Sequence, residues 1–404
     1  MAKGKDNKPH IGIFGRRNTG KSSFINCLVN QEIAIVSEQA GTTTDPVKKS
    51  IEIFGIGPAI LIDTAGIDDT GELGNKRIEK SLEALKTVDC AVLMISGNMF
   101  GEFEKELVKS FNSWDVPYII VHNKSDLEPL NERLEQKIGE MVKTPVLDFT
   151  TVKPKNIEKI IEALRKEIPE SIFQQPTLIG DLVQKGDYVL LITPIDNEAP
   201  DGRMILPQVM AIRDVLDHDC VNIVLKEDQV ENFFKTSGIK PALAITDSQV
   251  FNKMKDIVPA DVPFTSFSII FARMRGDFES YLNGTSEIDN LKDGDKVLVL
   301  ESCTHQVNCE DIGRHKLPNW IKEHTKKDIQ FDIVAGLNKI ETELNEYSLV
   351  VQCGGCMVTR RQLQNRLKPA IKEEIPVTNY GLAIAWMNGI FDRVTEPFRK
   401  AYAE

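Results

Sequence analysis

An α/β protein with mainly parallel sheets, a larger first domain and two smaller α/β domains behind it, is the fold class this sequence predicts. Three observations predict it. Short apolar runs alternate with helix-length stretches along most of the chain, the pattern of βαβ units. The first run, Ile11–Phe14, feeds into a glycine-bounded loop and then an apolar helix. Late in the chain, two further runs each end in cysteine.

Length and charge set the bounds. At 404 residues the chain exceeds one ordinary core, and two or three domains are expected. Forty-nine basic against 60 acidic residues give a net charge of −11, which makes nucleic acid an unlikely partner. No apolar run is long enough to span a membrane. The opening M-A-K-G-K-D-N-K-P-H lacks the apolar segment of a signal peptide, so a cytoplasmic protein with reduced thiols is expected. Four of the seven cysteines, at 303, 309, 353 and 356, fall near the end of the chain.

The N-terminal third carries five elements in one order. Gly15-Arg-Arg-Asn-Thr-Gly20-Lys21-Ser22, between a strand and a helix, is a P-loop whose backbone N–H groups turn toward phosphates. Gly15, Asn18, Thr19, Gly20, Lys21, Ser22 and Ser23 are its candidate nucleotide contacts. Lys21 reaches the β/γ oxygens and the Ser22 hydroxyl binds Mg²⁺. Gly41-Thr-Thr-Thr-Asp45 offers hydroxyls, Thr43 among them, to Mg²⁺ and the γ-phosphate. Asp63-Thr-Ala-Gly66 ends a strand in a carboxylate and then places a backbone N–H where it senses that phosphate. Asn123-Lys124-Ser-Asp126 ends another strand, and the Asp126 carboxylate accepts the two guanine hydrogens that adenine cannot offer. Thr151-Val152-Lys153 completes the base pocket. GTP is therefore the expected nucleotide, with Lys21, Thr43, Asp63 and Gly66 as the catalytic set. Ile67 stands where many such enzymes have a water-orienting Gln, so slow turnover is expected. Asp68, Asp69 and Glu72 are candidates for positioning water, and a solvated acidic loop is the plainer reading of them. Cys27 and Cys90 lie in apolar runs and read as core filler.

Residues 8–170 resemble a translation-factor-like GTPase domain, and G-R-R-N-T-G-K-S with G-T-T-T-D is most similar to the tRNA-modification (TrmE/MnmE) branch. That resemblance implies a K⁺ ion held by Asn18, whose charge replaces an arginine finger. A residue that merely stabilises a tight loop is the other reading of Asn18.

The middle of the chain alternates strands at Tyr188–Thr193, Val221–Leu225 and Ala242–Thr246 with helices at Met204–Leu216, Asp228–Thr236 and Ser248–Ile257. It carries no phosphate loop or metal spacing. His218 and Cys220 read as structural, and the module as one for dimerisation or docking. The expected boundaries are a P-loop GTPase domain over 1–170, a dimerisation or docking domain over 178–267, and a cysteine-bearing domain over 268–404, which the family resemblance given below makes the iron–sulfur cluster-binding domain.

In the last third, the strand Asp295–Leu300 runs into Glu-Ser-Cys303-Thr-His305, and the strand Glu346–Val351 runs into Gln352-Cys353-Gly-Gly-Cys356. Both deliver thiols past the carboxyl end of a strand, the edge where open parallel sheets build sites. A helix over Thr359–Leu367, stopped before Pro369, turns its N-terminus toward them. Zinc on Cys303, His305, Cys353 and Cys356, an iron–sulfur cluster with Cys309 as a possible fourth thiolate, and a redox dithiol all fit this pattern.

C-T-H-Q-V-N-C-E-D-I-G-R-H-K-L-P and C-G-G-C-M-V-T-R-R-Q, joined to the GTPase module, look like HydF, the GTPase maturation family of FeFe-hydrogenase, over essentially the whole chain. The resemblance implies a 4Fe–4S cluster on Cys303, Cys353 and Cys356. Its fourth position is exchangeable, with His305 the family's candidate and Glu310 a carboxylate alternative. Gln352 departs from the family pattern, which often has His there, and a glutamine is a poor iron ligand. The resemblance further implies a transient diiron subcluster, transfer to apo FeFe-hydrogenase, two radical-SAM maturases (HydE and HydG) as partners, and a homodimer through the middle domain. Arg360, Arg361 and Arg366 would either neutralise anionic cargo or form a solvated helix face. A GTPase with a structural zinc domain, acting in RNA modification or ribosome assembly, is the alternative.

Overall fold

The computed structural model describes residues 8–29, 37–39, 47–64, 66, 81–142, 144–152, 154, 156–169, 177–195, 204–302, 312–336, 338, 340–356 and 358–401. They form two compact units, Met1–Gln175 and Pro176–Glu404.

The first unit is a seven-stranded sheet in the order β2-β3-β4-β1-β5-β6-β7. Its strands are β1 (His10–Gly15), β2 (Ser37–Gln39), β3 (Val47–Ile53), β4 (Gly57–Asp63), β5 (Cys90–Ser96), β6 (Tyr118–Asn123) and β7 (Val146–Asp148). β3 runs antiparallel to both β2 and β4, and the other pairings are parallel. Helices α1 (Lys21–Val29), α2 (Glu102–Ser113), α3 (Glu132–Met141) and α4 (Ile157–Glu167) accompany it. β5 shows why the run C-A-V-L-M-I is continuous rather than alternating. Cys90, Val92 and Met94 pack with Phe24 and Leu164 in one core, while Ala91, Leu93 and Ile95 pack with Phe111 and Ile138 in a second. A strand covered on both faces needs apolar side chains at every position.

The second unit holds two four-stranded parallel sheets that share one hydrophobic core. The first contains β8 (Tyr188–Ile192), β9 (Val221–Leu225), β10 (Leu243–Thr246) and β11 (Phe264–Ser266), in the order β11-β10-β8-β9. Its helices are α5 (Leu206–Asp217), α6 (Val230–Thr236), α7 (Phe251–Ile257), α8 (Phe267–Arg275) and α9 (Phe278–Gly284). The second contains β12 (Lys296–Leu300), β13 (Gln330–Val334), β14 (Tyr347–Gln352) and β15 (Val377–Asn379), in the order β15-β14-β12-β13. With it come α10 (Leu317–Thr325), α11 (Arg360–Lys372), α12 (Tyr380–Met387) and α13 (Phe391–Ala401).

The two sheets have one topology, and the sequence repeats with it. Gln184-Lys-Gly-Asp-Tyr-Val-Leu-Leu-Ile192 corresponds to Lys292-Asp-Gly-Asp-Lys-Val-Leu-Val-Leu300. In both, a glycine at φ 89° turns the chain and an aspartate carboxylate accepts a backbone N–H three residues back at 2.8 Å. Pro263-Phe-Thr-Ser…Ala272-Arg-Met274-Arg-Gly276 corresponds to Pro376-Val-Thr-Asn…Ala385-Trp-Met387-Asn-Gly389, with Ser266 and Asn379 capping α8 and α12. The repeats also exchange their last helices. α9, from the first, packs on β15, and α13, from the second, packs on β11. Arg393 of α13 donates to the carbonyls of Lys255, Val258 and Pro259 at 2.6, 2.7 and 2.9 Å.

The structure corrects the expected helix after the Cys-Gly-Gly-Cys run. It does not stop before Pro369; α11 continues to Lys372 with the proline inside. An interior proline costs about 3 kcal/mol, and burial of Leu363, Leu367 and Ala370 holds the helix through it. The expected helix over Ser248–Ile257 is a 3₁₀ turn, Ser248–Val250, followed by α7.

Phe398 of α13 is buried and meets Phe278 of α9 edge to face, with centroids 5.4 Å apart. Phe398→Ala should cost about 3–5 kcal/mol. Because the exchanged helices tie the repeats together, denaturant titration should show both sheets melting in one earlier transition. Loss of the second sheet alone would contradict this packing.

Candidate functional sites

At the first site, the turn after β1 closes on itself before any ligand is considered. Lys21 Nζ donates to the carbonyls of Gly15 at 3.0 Å and Arg16 at 2.8 Å, and Thr19 Oγ1 donates to the Arg16 carbonyl at 2.9 Å. Asn18 takes φ 60°. Gly15 sits at φ 146°, and a Cβ there would lie 2.3 Å from the Met94 carbonyl. Ser22 Oγ donates to Asp63 Oδ2 at 2.7 Å, joining the two expected Mg²⁺-binding segments. Burial raises the pKa of Asp63, opposed by the Ser22 hydrogen bond and by the charges of Lys21 and Lys49. Ser23 is exposed on the first turn of α1. Gly66 abuts the P-loop so closely that a Cβ would meet Arg17 Cγ at 2.4 Å.

The base-reading motif is locked to the phosphate loop. Asn123, buried at the end of β6, donates from Nδ2 to the Thr19 carbonyl at 2.8 Å, and a Cβ on Gly20 would lie 2.2 Å from that nitrogen. Lys124 takes φ 65°. Thr150 Oγ1 donates to Asp126 Oδ1 at 2.5 Å and accepts the Val152 N–H at 3.2 Å, which orients the carboxylate. The carbonyl of Thr151 accepts from the Cys27 thiol at 3.7 Å. Thr150 escaped the sequence reading, although a hydroxyl beside the base-pocket segment was a legible signal. Arg16 escaped it too. Its guanidinium forks onto the buried Glu104 carboxylate at 2.7 and 3.0 Å and lies over Phe103, tying the loop to α2. Thr43, Ile67, Asp68, Asp69, Glu72 and Lys153 lie outside the described residues.

The second site is the carboxyl edge of the last sheet. β12 and β14 are parallel neighbours, with Leu300 opposite Gln352, and β13 lies on the far side of β12. Strand order thus reverses between the two cysteine-bearing strands, the place where open parallel sheets build sites. The Cys353 N–H donates to the Leu300 carbonyl at 3.0 Å. Ser302, which precedes Cys303 in the chain, donates its N–H to Cys353 Sγ at 3.1 Å, and its Oγ lies 3.0 Å from the same sulfur.

Gln352 is fully buried. Its Nε2 donates to Ser302 Oγ at 3.0 Å and approaches Cys353 Sγ at 3.5 Å, while its Oε1 has no partner. Nearby, the buried Tyr281 hydroxyl also has no partner, and burial holds its pKa well above the usual value, with Cys353 and Asp277 adding to the rise. Gly355 takes φ 71°, and a Cβ there would strike Leu363 Cδ1 at 2.2 Å. Arg366 is not on a solvated helix face: it donates to the carbonyls of Glu301 at 2.5 Å and Val334 at 2.7 Å. Glu301 also pairs with Arg314 at 3.1 Å.

Among the described residues, no group of three His, Cys, Asp or Glu side chains is placed to hold a metal. Cys303, His305, Cys309 and Glu310 lie outside the described residues, so the described part of this site is Cys353 and Cys356. The surroundings of Cys353 fit a metal-bound sulfur, since the Ser302 N–H and the Gln352 amide N–H are directed at it. His218 and Cys220 are used locally. His218 Nδ1 lies 2.8 Å from the Asp214 carbonyl, and the Cys220 thiol donates to the Gln184 carbonyl at 3.1 Å.

Comparison with known proteins follows the same division. The tRNA modification GTPase MnmE of Lachnoclostridium phytofermentans is 31% identical over 233 residues, 53% of this chain and 50% of its own. GTPase Der of Nitratiruptor sp. is 28% identical over 225 residues, 54% and 47% of the two chains. The chain therefore spans about half the length of these curated relatives. A crystal structure of Aquifex aeolicus Era is 20% identical, covering 54% of this chain and 92% of that one, with a TM-score of 0.33. The family model described as "50S ribosome-binding GTPase" matches residues 10–124. "Hydrogen maturase F dimerization domain" matches residues 178–276, and "Hydrogen maturase F tetramerization domain" matches residues 279–397. A GTPase match followed by matches to both maturase modules, which together span residues 178–276 and 279–397, places the chain in the hydrogen maturase F (HydF) family.

Proposed function

We propose that this chain is a GTP-binding and GTP-hydrolysing scaffold that carries an iron–sulfur cluster in the maturation of FeFe-hydrogenase. In this reading Cys303, Cys353 and Cys356 hold a 4Fe–4S cluster, with His305 or Glu310 at an exchangeable fourth position. A diiron precursor is the cargo, received through the radical-SAM maturases and passed to the apo-hydrogenase. The single observation that carries the reading is the parallel pairing of β12 with β14. It sets Cys353 beside the chain leading to Cys303 at a strand-order switch, with N–H groups aimed at sulfur. When bound, the cluster supplies an anionic metal face with one weakly held position. This chain's residues hold and orient it: Ser302 and Gln352 direct hydrogen bonds at Cys353, and Gly355 admits the tight turn before Cys356.

In the nucleotide domain, Lys21 would exchange its loop carbonyls for β/γ oxygens, while Ser22, with Thr43, would bind Mg²⁺ and Asp63 would support it. Asn18 would hold K⁺, and turnover would be slow because Ile67 replaces the water-orienting glutamine. The nucleotide state would bias partner affinity rather than perform iron chemistry. The division into 1–170, 178–267 and 268–404 belongs to this reading, as does a cytoplasmic location. The middle module would dimerise through an apolar surface: Leu206, Val209 and Leu216 are exposed on α5, and Val221 and Val224 are exposed on the edge strand β9.

Three outcomes test these assignments. Protein reconstituted without oxygen should hold about four irons and four sulfides per chain. The EPR signal of its reduced cluster should be lost in Cys353→Ser; tightly bound zinc with no iron would instead leave a zinc-stapled GTPase. Asp63 sets a second test. Its folded pKa is raised, so the native state binds the extra proton between the unfolded and folded values. Stability therefore falls as pH climbs through that window, and the deficit persists at pH 7. Differential scanning of nucleotide-free Asp63→Asn should show a higher melting temperature at pH 7, with no further rise on adding Mg²⁺ and GTP. Third, Val209→Glu with Leu216→Glu should reduce the assembly by light scattering; an unchanged mass would place the contact elsewhere.

A further inference from the structure

The segment between β5 and α2, Gly97-Asn-Met-Phe-Gly101, belongs to none of the five nucleotide motifs, yet it is tied to two of them. Gly97 takes φ 61° and Asn98 takes φ 50°. A residue other than glycine persists in that left-handed region where its surroundings hold it there. Asn98 is held from the base side. Its Nδ2 donates to Glu128 Oε1 at 2.8 Å and to the Pro129 carbonyl at 3.0 Å, and its Oδ1 accepts the Asn131 N–H at 2.8 Å. Those three residues lie just beyond Asn123–Asp126, and Asn131 caps α3.

The other end of the segment is held from the phosphate side. The Gly101 N–H donates to Glu104 Oε2 at 2.7 Å, and the Arg16 fork closes on both oxygens of that carboxylate, which is 1% exposed. Arg16 also supplies the carbonyl to which both Lys21 Nζ and Thr19 Oγ1 donate. On exchanging that carbonyl for phosphate oxygens, Lys21 gives up a bond that shapes the loop. The fork on Glu104 does not involve Lys21, so it survives the exchange. Asn123 already joins the two motifs through the Thr19 carbonyl at 2.8 Å. One tie leaves a pivot, and a second tie fixes an orientation.

We propose that Gly97–Gly101 is a strap that sets the phosphate loop against the guanine motif, with Arg16 and Glu104 as its phosphate-side clasp and Asn98 as its base-side clasp. All three are positioning residues for the nucleotide, acting through the two motifs. The proposal rests on the guanine-nucleotide reading of the first unit and is independent of the iron chemistry of the second. A site held in shape before its ligand arrives loses affinity when that hold is released.

The test uses the full-length protein with Mg²⁺ and fluorescent analogues of GDP and GTP, and it reads Kd beside melting temperature with and without GDP. Two variants release one clasp each. Arg16→Met with Glu104→Leu removes both charges together, so no orphaned carboxylate is left inside the fold. Asn98→Gly keeps a residue suited to the left-handed backbone and removes the side-chain bonds. If a released loop is competent in one conformer of ten, Kd rises about tenfold for both nucleotides. The rise in melting temperature given by a fixed GDP concentration should shrink in step with that loss. A clasp that served folding alone would lower the melting temperature equally with and without GDP and leave Kd unchanged. Should the double variant fail to fold, Asn98→Gly decides by its Kd. A folded variant of either kind that keeps the wild-type Kd overturns the strap. Wild type that binds neither nucleotide overturns the guanine-nucleotide reading and this proposal with it.

Discussion

The pairing of β12 with β14 is the constraint on which the second unit's chemistry depends. The register Leu300 to Gln352 puts the two exits side by side, and the strand order leaves no third strand between them. A slip of one residue would turn every β14 side chain to the opposite face. Gln352 would then leave the buried position from which its amide reaches Ser302 and Cys353. Val297, Leu298, Val299, Leu349, Val350 and Val351 are all buried, so both faces of the pair resist such a slip. The thiol geometry at the edge is thus set by packing deep in the sheet rather than by the loop that carries the cysteine.

The repeated module explains how such an edge stays rigid on sheets of only four strands. Each copy leaves its last strand short, three residues in β11 and β15. Each is then covered by the terminal helix of the other copy, α13 on β11 and α9 on β15. Gly284 shows how tight the cover is: a Cβ there would lie 2.3 Å from the Val377 carbonyl. Short strands at a sheet margin are weak by themselves, and the exchanged helices convert two weak margins into one shared core.

Much of this was legible in the residues. The nucleotide domain follows from motif chemistry because each motif is short, local and placed at a strand end. The parallel sheets follow from continuous apolar runs such as C-A-V-L-M-I, and the approach of two cysteine-bearing strand ends follows from the α/β pattern. What escaped the reading was non-local. Ser302 carries no motif, and it matters through Cys353, 51 residues away in the chain. The repeat was visible, in Q-K-G-D-Y-V-L-L-I against K-D-G-D-K-V-L-V-L, but its two halves differ in the residues that catch the eye: one has Cys-Gly-Gly-Cys where the other has Asp247-Ser-Gln-Val250. The continuation of α11 through Pro369 escaped for the opposite reason. A strong local rule was overruled by burial of Leu367 and Ala370.

Electrostatics around the cysteines begin with an arginine at the sheet edge. Here Arg366 lies at the sheet edge with its guanidinium donating to backbone carbonyls. Arg366 is desolvated, which lowers its pKa, and Cys353, Tyr380 and Glu301 push it back up. A guanidinium starts from so high a value that it stays charged through either effect. Arg366 donates hydrogen bonds to the carbonyls of Glu301 and Val334, at the ends of β12 and β13. A backbone carbonyl orients a cation without neutralising it. Arg366 is therefore oriented by backbone, while the Glu301 carboxylate pairs with Arg314. A guanidinium held this way sets a positive charge beside the strand ends that lead to the cysteines.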